Sequence, residues 1–335
     1  MKIDVIIPVY KPDKTFFELI EKLENQTLAV NEIIIMNTEE KYYDKLAYGS
    51  RFFEKYHNIH VYHLSKKEFD HGFTRHRGVK KSDADIFVMM TQDAMPADYE
   101  LIEKLVKVLE QKTVACAYAR QLPKEDCGII ESYQREFNYP AESCIKAHKD
   151  IETLGIKTYF CSNVCCAYRR DIYDKLGGFV YPAIFNEDMV YAATAIKNGY
   201  RVAYVAEACV YHSHNYTCKQ QFHRNFDLGV SQADHPEVFA EVPSEGEGIR
   251  SVKSTIAYLR KQKQGKWIPK LVLHSASKYG GYFLGKHYKK LPNKWIEVFT
   301  MNKEYWANVK RKQDVANIDA TKGYGRNKEE TANTK

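Results

Sequence analysis

The residue that most directly indicates chemistry is Asp93, which follows an apolar run that stops abruptly. Residues 86–90 read Ile-Phe-Val-Met-Met, the next three are Thr-Gln-Asp, and Pro96 lies three residues further on. Five consecutive apolar residues of this kind are typical of a fully buried strand in a parallel sheet. Ligands bind at the carboxyl ends of such strands, so a carboxylate placed there is suited to holding a metal ion. The alternative is that Asp93 only caps a helix that begins near Asp98.

Polar residues also follow the other strands that the pattern predicts in the first part of the chain. Three strands are predicted over residues 2–9, 33–36 and 59–64. They are followed by Tyr10, by Asn37 to Glu39, and by the stretch from Asp70 and His71 to Arg75. Because the carboxyl ends of parallel strands meet at one edge of a sheet, four such ends form a cleft of nucleotide size.

Phosphate recognition in this sequence has to come from side chains or from a metal ion. Neither the dinucleotide-binding pattern GxGxxG nor the P-loop pattern GxxxxGK[ST] is present. Arg75 and Arg77 supply cations, and Asp93 supplies a ligand for a metal. This combination indicates a nucleotide diphosphate that departs as a leaving group.

Two later pairs of titratable residues fit the same site. Glu187 and Asp188 open a predicted helix, where the helix dipole favours acids and where a base could also face the cleft. His212 and His214 have the spacing that puts both imidazoles on one face of a strand, as two metal ligands require. Histidines in such positions also occur as structural residues, and both interpretations stay open for this pair.

A regular alternation of elements positions these residues. Strands alternate with helical patterns through residue 119, which is typical of a doubly wound α/β unit with right-handed crossovers. Residues 123–158 are poorly periodic, and we interpret them as a loop-rich insertion over the site. A strand over 159–168, a helix from 185 to 199 and a strand over 201–210 complete the pattern, which stops past Pro236.

Charge divides the chain in two. Residues 249–335 contain twenty Lys and Arg against six Asp and Glu, a balance of +14, so residues 1–248 carry −7 of the total of +7. Basic residues interleaved with aromatic ones are typical of a helix on an anionic membrane surface. We therefore expect Trp267, Trp295 or Tyr282 to enter an apolar layer. Nucleic-acid binding and a set of solvated helices are the alternatives.

Composition sets broad limits on the protein class. With 335 residues, 44% of them hydrophobic and 28% charged, the chain is typical of a globular protein with one large domain and an appendage. Its first residues do not resemble a signal peptide, and no apolar run approaches the roughly 18 residues that span a bilayer. The eight cysteines form no CxxC pair, and we expect reduced core thiols in a cytosolic protein.

Several motifs together resemble family 2 glycosyltransferases of the GT-A fold. They are Pro8-Val9-Tyr10, Thr91-Gln92-Asp93-Ala94 and Asn186-Glu187-Asp188. Others resemble more narrowly the bacterial rhamnosyltransferase branch: EFDHGFTR at 68–75, FCSN at 160–163, GGF at 177–179 and KYxGY at 278–282. The resemblance spans roughly residues 1–306. It implies an α/β fold with a GT-A type Rossmann-like mixed sheet flanked by helices, followed by a helical, basic C-terminal extension.

The resemblance also implies roles for particular residues. Asp93 matches the last acid of the family's DxD motif, which ligates Mg²⁺ or Mn²⁺. Thr91 replaces the first acid, so His212 or His214 would supplement the metal site. Asp188 matches the catalytic base, with Glu187 beside it. The implied nucleotide-sugar site comprises Pro8, Tyr10, Asn37, Glu39, Asp70, His71, Arg75 and Gln92, and the implied acceptor site comprises Ser162, Asn163 and Arg224.

The activity implied by the resemblance is inverting hexosyl transfer. The expected donor is dTDP-rhamnose, and the expected acceptor is a lipid-linked or growing cell-surface polysaccharide at the inner face of the cell membrane. We expect a catalytic domain over 1–235, a membrane-associating helical extension over 236–318 and a disordered tail over 319–335. No nucleic-acid partner is expected, and the oligomeric state stays open.

Rival interpretations are a UDP-hexose donor, a nucleotidyltransferase, and a non-catalytic binding protein with a basic tail. A nucleotidyltransferase ordinarily has a glycine-rich loop after the first strand, and residues 10–14 contain no glycine. A non-catalytic protein would show no metal-dependent nucleotide binding.

Overall fold

The computed structural model describes residues 1–48, 52–242 and 245–309. Within them, nine strands form one sheet in the order β3-β2-β1-β4-β8-β6-β9-β5, with β7 paired to β9. The strands are β1 Ile3–Tyr10, β2 Glu32–Thr38, β3 Ile59–Leu64, β4 Ile86–Met90, β5 Met95–Pro96, β6 Val114–Leu122, β7 Cys144–Lys146, β8 Cys165–Arg169 and β9 Arg201–Tyr211.

The sheet is mixed, as the GT-A expectation requires. Strands β1 to β4 pair in parallel, whereas β8 runs antiparallel between β4 and β6. Strand β4 is buried at every position because neighbouring strands and helices cover it on all sides. The fold class predicted from the sequence is confirmed, and Asp93 follows the centre of the sheet.

Helices cover both faces of this sheet. They are α1 Thr15–Glu24, α2 Glu40–Ala47, α3 His71–Val79, α4 Leu101–Leu109, α5 Ile129–Asn138, α6 Ile151–Leu154, α7 Arg170–Lys175, α8 Glu187–Lys197, α9 Cys218–Asp234, α10 Pro236–Phe239, α11 Glu245–Lys261, α12 Ile268–Lys286 and α13 Asn293–Phe299. The apolar side of α1 is buried against the sheet, as its helical spacing predicts. None of the helices in the described residues combines the length and hydropathy that crossing a bilayer would require.

Two predicted elements differ from the structure. The predicted strand over 159–168 is shorter, because residues 160–164 form a loop before β8. The insertion over 123–158 is not simply loop: it contains α5, which docks on α11 through Tyr133. The Tyr133 ring stacks on that of Tyr258 at 4.1 Å, and its hydroxyl lies 2.6 Å from Ser254 Oγ. No residue of α5 is fully buried, so this helix does not contribute to the core of the sheet.

The C-terminal extension is docked tightly on α9. A Cβ added at Gly281 would lie 2.1 Å from the Phe222 carbonyl oxygen, and one added at Gly285 would lie 2.0 Å from that of Phe226. The backbones of α9 and α12 therefore touch, which only glycine permits at these positions. The domain division at residue 235 stays a prediction, and the predicted disordered tail over 319–335 lies outside the described residues.

The aromatic residues predicted to enter a membrane have different surroundings. The Tyr282 hydroxyl donates to Gln232 Oε1 at 2.8 Å, so this side chain faces α9 and the prediction for it is wrong. Trp267 lines a cavity beside α12. Trp295 is 47% exposed. The eight cysteines are all unpaired, in agreement with the expected reduced thiols.

Candidate active site

A cavity of about 580 Å³ lies beyond the carboxyl end of β4. This size is typical of a site for a small organic ligand. Ten of the residues singled out in the sequence line it: His71, Arg75, Asp93, Ser162, Asn163, Glu187, Asp188, His212, His214 and Arg224. The structure therefore brings together residues that are up to about 150 positions apart in the chain.

The two acids at the start of α8 are held in different ways. Asp188 Oδ2 accepts a hydrogen bond from the Asn163 backbone N–H at 2.8 Å. Glu187 Oε1 accepts from Asn163 Nδ2 at 3.0 Å and forms an ion pair with Arg75 Nε at 3.2 Å. The preceding residue, Asn186, has a φ of 61°, a left-handed conformation that asparagine tolerates and that turns the chain into the helix.

These surroundings push the pKa values of the two acids apart. Burial raises the pKa of Asp188 to about 8, and the adjacent charge of Glu187 adds to the rise. Burial would also raise the pKa of Glu187, but the charges of Arg75 and His71 outweigh it, and the pKa is lowered. Two neighbouring carboxyl groups with separated pKa values are typical of acid–base sites. Asp188 is the stronger base of the two.

A second group of side chains surrounds Asp93. Its Oδ2 lies 3.5 Å from His212 Nε2 and 3.3 Å from His214 Nε2, and the two Nε2 atoms are 3.1 Å apart. Burial would raise the pKa of Asp93, but the hydrogen bond and charge of His212, together with the charge of His214, lower it. Three ligand atoms within 4.8 Å of one another fit a divalent metal ion.

A hydrogen bond to Gln121 orients His212. Gln121 Oε1 lies 2.9 Å from His212 Nδ1 and accepts a hydrogen bond from it, which orients the ring with Nε2 toward Asp93. Both histidines follow β9 and do not lie on it, because the strand ends at Tyr211. The predicted convergence of the imidazoles therefore depends on the segment after the strand and not on strand alternation.

Two cations at the cavity lack an acidic partner. Arg224 stacks over the Phe185 ring at 4.5 Å and near the Tyr216 ring at 5.8 Å. Among the described residues, no carboxylate lies within 4 Å of Arg224 or Lys278. Arg75 and Arg135 are instead paired with Glu187 and Glu131. The unpaired charges make the cavity attractive to an anion.

Sequence reasoning missed the residues that α5 and α12 contribute. Glu131, Gln134 and Arg135 of α5 line the cavity, as does Lys278 of α12. Lys278 belongs to a motif that resembles the rhamnosyltransferase branch, and that motif was the available signal. No comparable signal marks α5, because its position over the cavity depends on its contacts with α11.

Six of the residues predicted to bind the nucleotide sugar do not line the cavity: Pro8, Tyr10, Asn37, Glu39, Asp70 and Gln92. Asp70 caps α3 and accepts hydrogen bonds from the backbone N–H groups of Phe73 and Ala183, at 2.8 and 2.9 Å. Each of its oxygens accepts one backbone hydrogen bond, so the contacts of Asp70 in this structure position the chain, and its role in nucleotide binding stays a prediction. Glu39 Oε1 accepts from the Lys66 backbone N–H at 2.7 Å.

The ends of β1 and β2 keep features that suit a nucleotide. Gln92 exchanges two hydrogen bonds with the Tyr10 backbone, at 2.8 and 3.0 Å, and so fixes the segment after β1. Asn37 Nδ2 lies 2.9 Å from His63 Nδ1. The side-chain oxygen of Asn37, Oδ1, is buried with no hydrogen-bond partner among the described residues. A buried acceptor of this kind requires a donor, and a ligand can supply one.

Comparison with known proteins agrees with this geometry. The sequence profile described as "Glycosyl transferase family 2" matches residues 4–177. The chain is 40% identical over 311 residues to the O-antigen chain rhamnosyltransferase RfbN of Salmonella typhimurium, covering 92% of this chain and 97% of the relative. It is 37% identical over 308 residues to the O-antigen chain rhamnosyltransferase WbaN of Salmonella anatum, covering 91% and 96%.

A solved structure shares the fold. The mannosyltransferase PcManGT from Pyrobaculum calidifontis, in complex with GDP-Man and Mn²⁺, superposes with a TM-score of 0.53 at 14% identity, over 92% of this chain and 86% of that one. At this identity the likeness concerns the fold alone. The profile matches about half of the chain, and the relatives match nearly all of it. The protein therefore belongs to glycosyl transferase family 2.

Proposed function

We propose that this protein is an inverting rhamnosyltransferase that moves L-rhamnose from dTDP-rhamnose to a growing cell-surface glycan. The observation that carries the proposal is Asp188, a carboxyl group with a raised pKa inside a cavity that also holds unpaired cations. The two curated relatives support the choice of sugar, because both are O-antigen chain rhamnosyltransferases over nearly the full chain.

The side chains of the cavity suit each part of such a reaction. Asp188 accepts the proton of the attacking hydroxyl, and its pKa of about 8 is close to the working pH, where general bases are most effective. The hydrogen bond from the Asn163 backbone holds its carboxylate in place. Arg224 is an unpaired cation that stabilises the charge that develops on the departing diphosphate.

The metal site proposed for this protein consists of Asp93, His212 and His214. A mixed carboxylate and imidazole set suits Mn²⁺ better than Mg²⁺, which prefers oxygen ligands and ordered water. When bound there, a divalent ion supplies positive charge to the donor's diphosphate. The orientation fixed by Gln121 prepares His212 for this role.

Nucleotide-base recognition is assigned to the ends of β1 and β2. Asn37 Oδ1, which has no partner among the described residues, is suited to accept the N3–H of thymine. Tyr10 is 37% exposed and forms an edge contact with Tyr42 at 5.6 Å, which offers a ring for stacking. Uracil presents the same N3–H, so this contact alone does not distinguish dTDP from UDP.

The decisive experiment is a transfer assay with a panel of nucleotide sugars. We expect turnover with dTDP-rhamnose, dependence on a divalent ion, and a glycoside whose anomeric configuration, measured by NMR, is inverted relative to the donor. Turnover with a UDP-hexose alone would replace the proposed donor. A protein that binds no nucleotide in the presence of Mn²⁺ would be non-catalytic, and the proposal would be wrong.

We also propose that the protein associates with the inner face of the cell membrane through α12. Val272, Leu273, Tyr279 and Phe283 of this helix are between 49% and 63% exposed. They lie on the side of α12 away from α9, and the extension that carries them is strongly basic. An exposed apolar stripe in a basic region is typical of a helix that lies in a membrane interface.

A further inference from the structure

A second cavity, of about 250 Å³, adjoins the candidate active site between α5 and α12. The two cavities share part of their walls, namely Glu131, Gln134, His214, Tyr216, Gln221 and Lys278. The two cavities are therefore adjacent, and Lys278 and Gln134 lie at the boundary between them.

One side of α12 lines this second cavity with regularly spaced residues. Lys270, His274 and Lys278 follow one another at intervals of four, and Trp267 precedes them by three. Residues at this spacing lie on one face of a helix. From Lys270 to Lys278 the row is roughly 12 Å long at 1.5 Å per residue. The exposed apolar stripe of α12 lies on the opposite face.

The row is positively charged and weakly compensated. Lys278 Nζ donates to the neutral Gln134 Oε1 at 3.1 Å, and no carboxylate lies within 4 Å of it among the described residues. Of the two acids that line the cavity, Glu131 is paired with Arg135, and Asp126 is exposed to solvent. Burial and the charges of Lys270 and Lys278 lower the pKa of His274, as expected in a positive environment.

The donor does not account for these charges. In the proposed reaction, the donor's diphosphate lies in the first cavity, near Arg224 and the metal site formed by Asp93, His212 and His214. Lys270, in contrast, lines only the second cavity. An aromatic wall from Trp267, with Lys270 Nζ 5.2 Å from its ring, suits a ligand that is both anionic and partly apolar.

We propose that this second cavity binds the diphosphate of a lipid-linked acceptor. Lys270 and Lys278 hold the diphosphate, the first sugar extends past Lys278 toward Asp188, and the lipid leaves past Trp267 toward the membrane-facing side of α12. The inference rests on the proposed function, because it assigns the acceptor to that reaction. It explains why one helix carries both a cationic row and an apolar stripe.

The test uses farnesyl diphosphate as a probe and the full chain. Calorimetry is performed with saturating dTDP and Mn²⁺, so that the donor site is filled. We expect the probe to bind under these conditions. Changing Lys270→Gln and Lys278→Gln together should weaken its binding tenfold or more, because each change removes a charge-assisted hydrogen bond to the diphosphate. Farnesol, which lacks the diphosphate, should bind equally weakly to both proteins.

The matched control is Lys294→Gln, which removes an exposed positive charge from α13 away from the cavity. It should leave the affinity for the probe unchanged, and dTDP should bind to it as tightly as to the wild type. If dTDP displaces the probe, or if the double variant binds it as tightly as the wild type, the inference is wrong. If the probe binds as expected but dTDP-rhamnose is never a donor, the proposed function fails while the diphosphate site stands.

Discussion

At the scale of single residues, Asn163 organises the site by holding both acids of α8. Asn163 donates its backbone N–H to Asp188 and its side-chain amide to Glu187, at 2.8 and 3.0 Å. Glu187 also forms an ion pair with Arg75. Among the described residues, Asp188 has no such partner and is therefore the group that can accept a proton. Glu187 is thus a positioning residue, and Asp188 is the proposed base.

The first prediction follows from this division. Asp188→Asn should lower turnover by roughly 10²–10⁴-fold, the usual contribution of a general base, while donor affinity is unchanged. Turnover and donor Kd are measured on the same preparation. The isosteric variant Glu187→Gln is the control: it should retain turnover and shift the pH profile to lower pH, because the charge of Glu187 helps to raise the pKa of Asp188. If Glu187→Gln abolishes turnover and Asp188→Asn does not, the base is Glu187.

The second prediction concerns stability and pH. The pKa of Asp188 is raised from its usual value to about 8 in the folded protein. Its contribution to stability is therefore complete below about pH 4 and is lost as the pH rises toward 8, because the folded state binds the proton more tightly than the unfolded chain. Asn cannot ionise. Urea unfolding from pH 5 to 8 should show a smaller loss of stability for Asp188→Asn than for the wild type, and parallel curves would contradict the assignment.

The third prediction concerns the metal. Asp93→Asn removes the charged member of the group formed with His212 and His214, so Mn²⁺ should no longer increase the thermal stabilisation by dTDP. Asp98→Asn, which changes an acid five residues further on that pairs with Lys104 at 2.7 Å, is the control. Retention of the Mn²⁺-dependent shift in Asp93→Asn would exclude Asp93 as a ligand.

At the scale of elements, the strands were the most predictable part of the molecule. The apolar runs of β1, β2 and β4 are long enough to identify buried strands. Because these strands are parallel, the polar residues that follow them lie at the same edge of the sheet. Asp93 could be found this way because its position depends only on β4. The predicted roles of Asp188 and Arg75 came from motif resemblance, since periodicity says nothing about what a helix start faces.

Other parts of the site could not be predicted because they depend on contacts between distant elements. The second cavity requires α5 to sit against α12, and α5 is fixed by the contact of Tyr133 with α11. Asp70 follows β3 as a nucleotide ligand would, yet its oxygens bind the backbone of Phe73 and Ala183. Ala183 is 113 residues away in the chain, and no local pattern indicates that contact.

The fourth prediction tests the docking of α12 on α9. Gly285→Ala places a methyl group 2.0 Å from the Phe226 carbonyl oxygen, so the helices must separate. Overpacking of this kind costs typically about 1–3 kcal/mol, and the free energy of unfolding should fall by at least that amount. Gly280→Ala is the matched control, since its nearest neighbour would be 3.9 Å away. Equal stabilities for the two variants would show that the helices are not in close contact.

At the scale of the whole molecule, charge and apolar surface coincide. The part of the chain up to residue 248 carries −7, and the remainder carries +14. The extension is attached to the active site through α9, whose Gln221 and Arg224 line the catalytic cavity while its glycine contacts hold α12. Removing the extension would therefore disturb the active site, and membrane binding is better tested by single substitutions on the outer face of α12.

The last prediction is that the paired change Tyr279→Ser and Phe283→Ser abolishes sedimentation with anionic vesicles at physiological ionic strength. Both side chains are exposed, at 63% and 49%, so the fold should tolerate their loss. Each basic residue near an anionic surface contributes about 1 kcal/mol, so the remaining charge should still give weak, salt-sensitive binding at low ionic strength. Neutral vesicles should bind neither protein.

The control for this experiment is Tyr99→Ser, which removes an aromatic ring of similar exposure, 52%, from the catalytic part of the chain. It should sediment like the wild type. Turnover separates the membrane role from catalysis: the paired variant should retain its activity on a water-soluble acceptor and lose it on a lipid-linked acceptor in vesicles, because only the second substrate requires α12 to reach the bilayer. Undiminished vesicle binding by the paired variant would mean that α12 does not face the membrane.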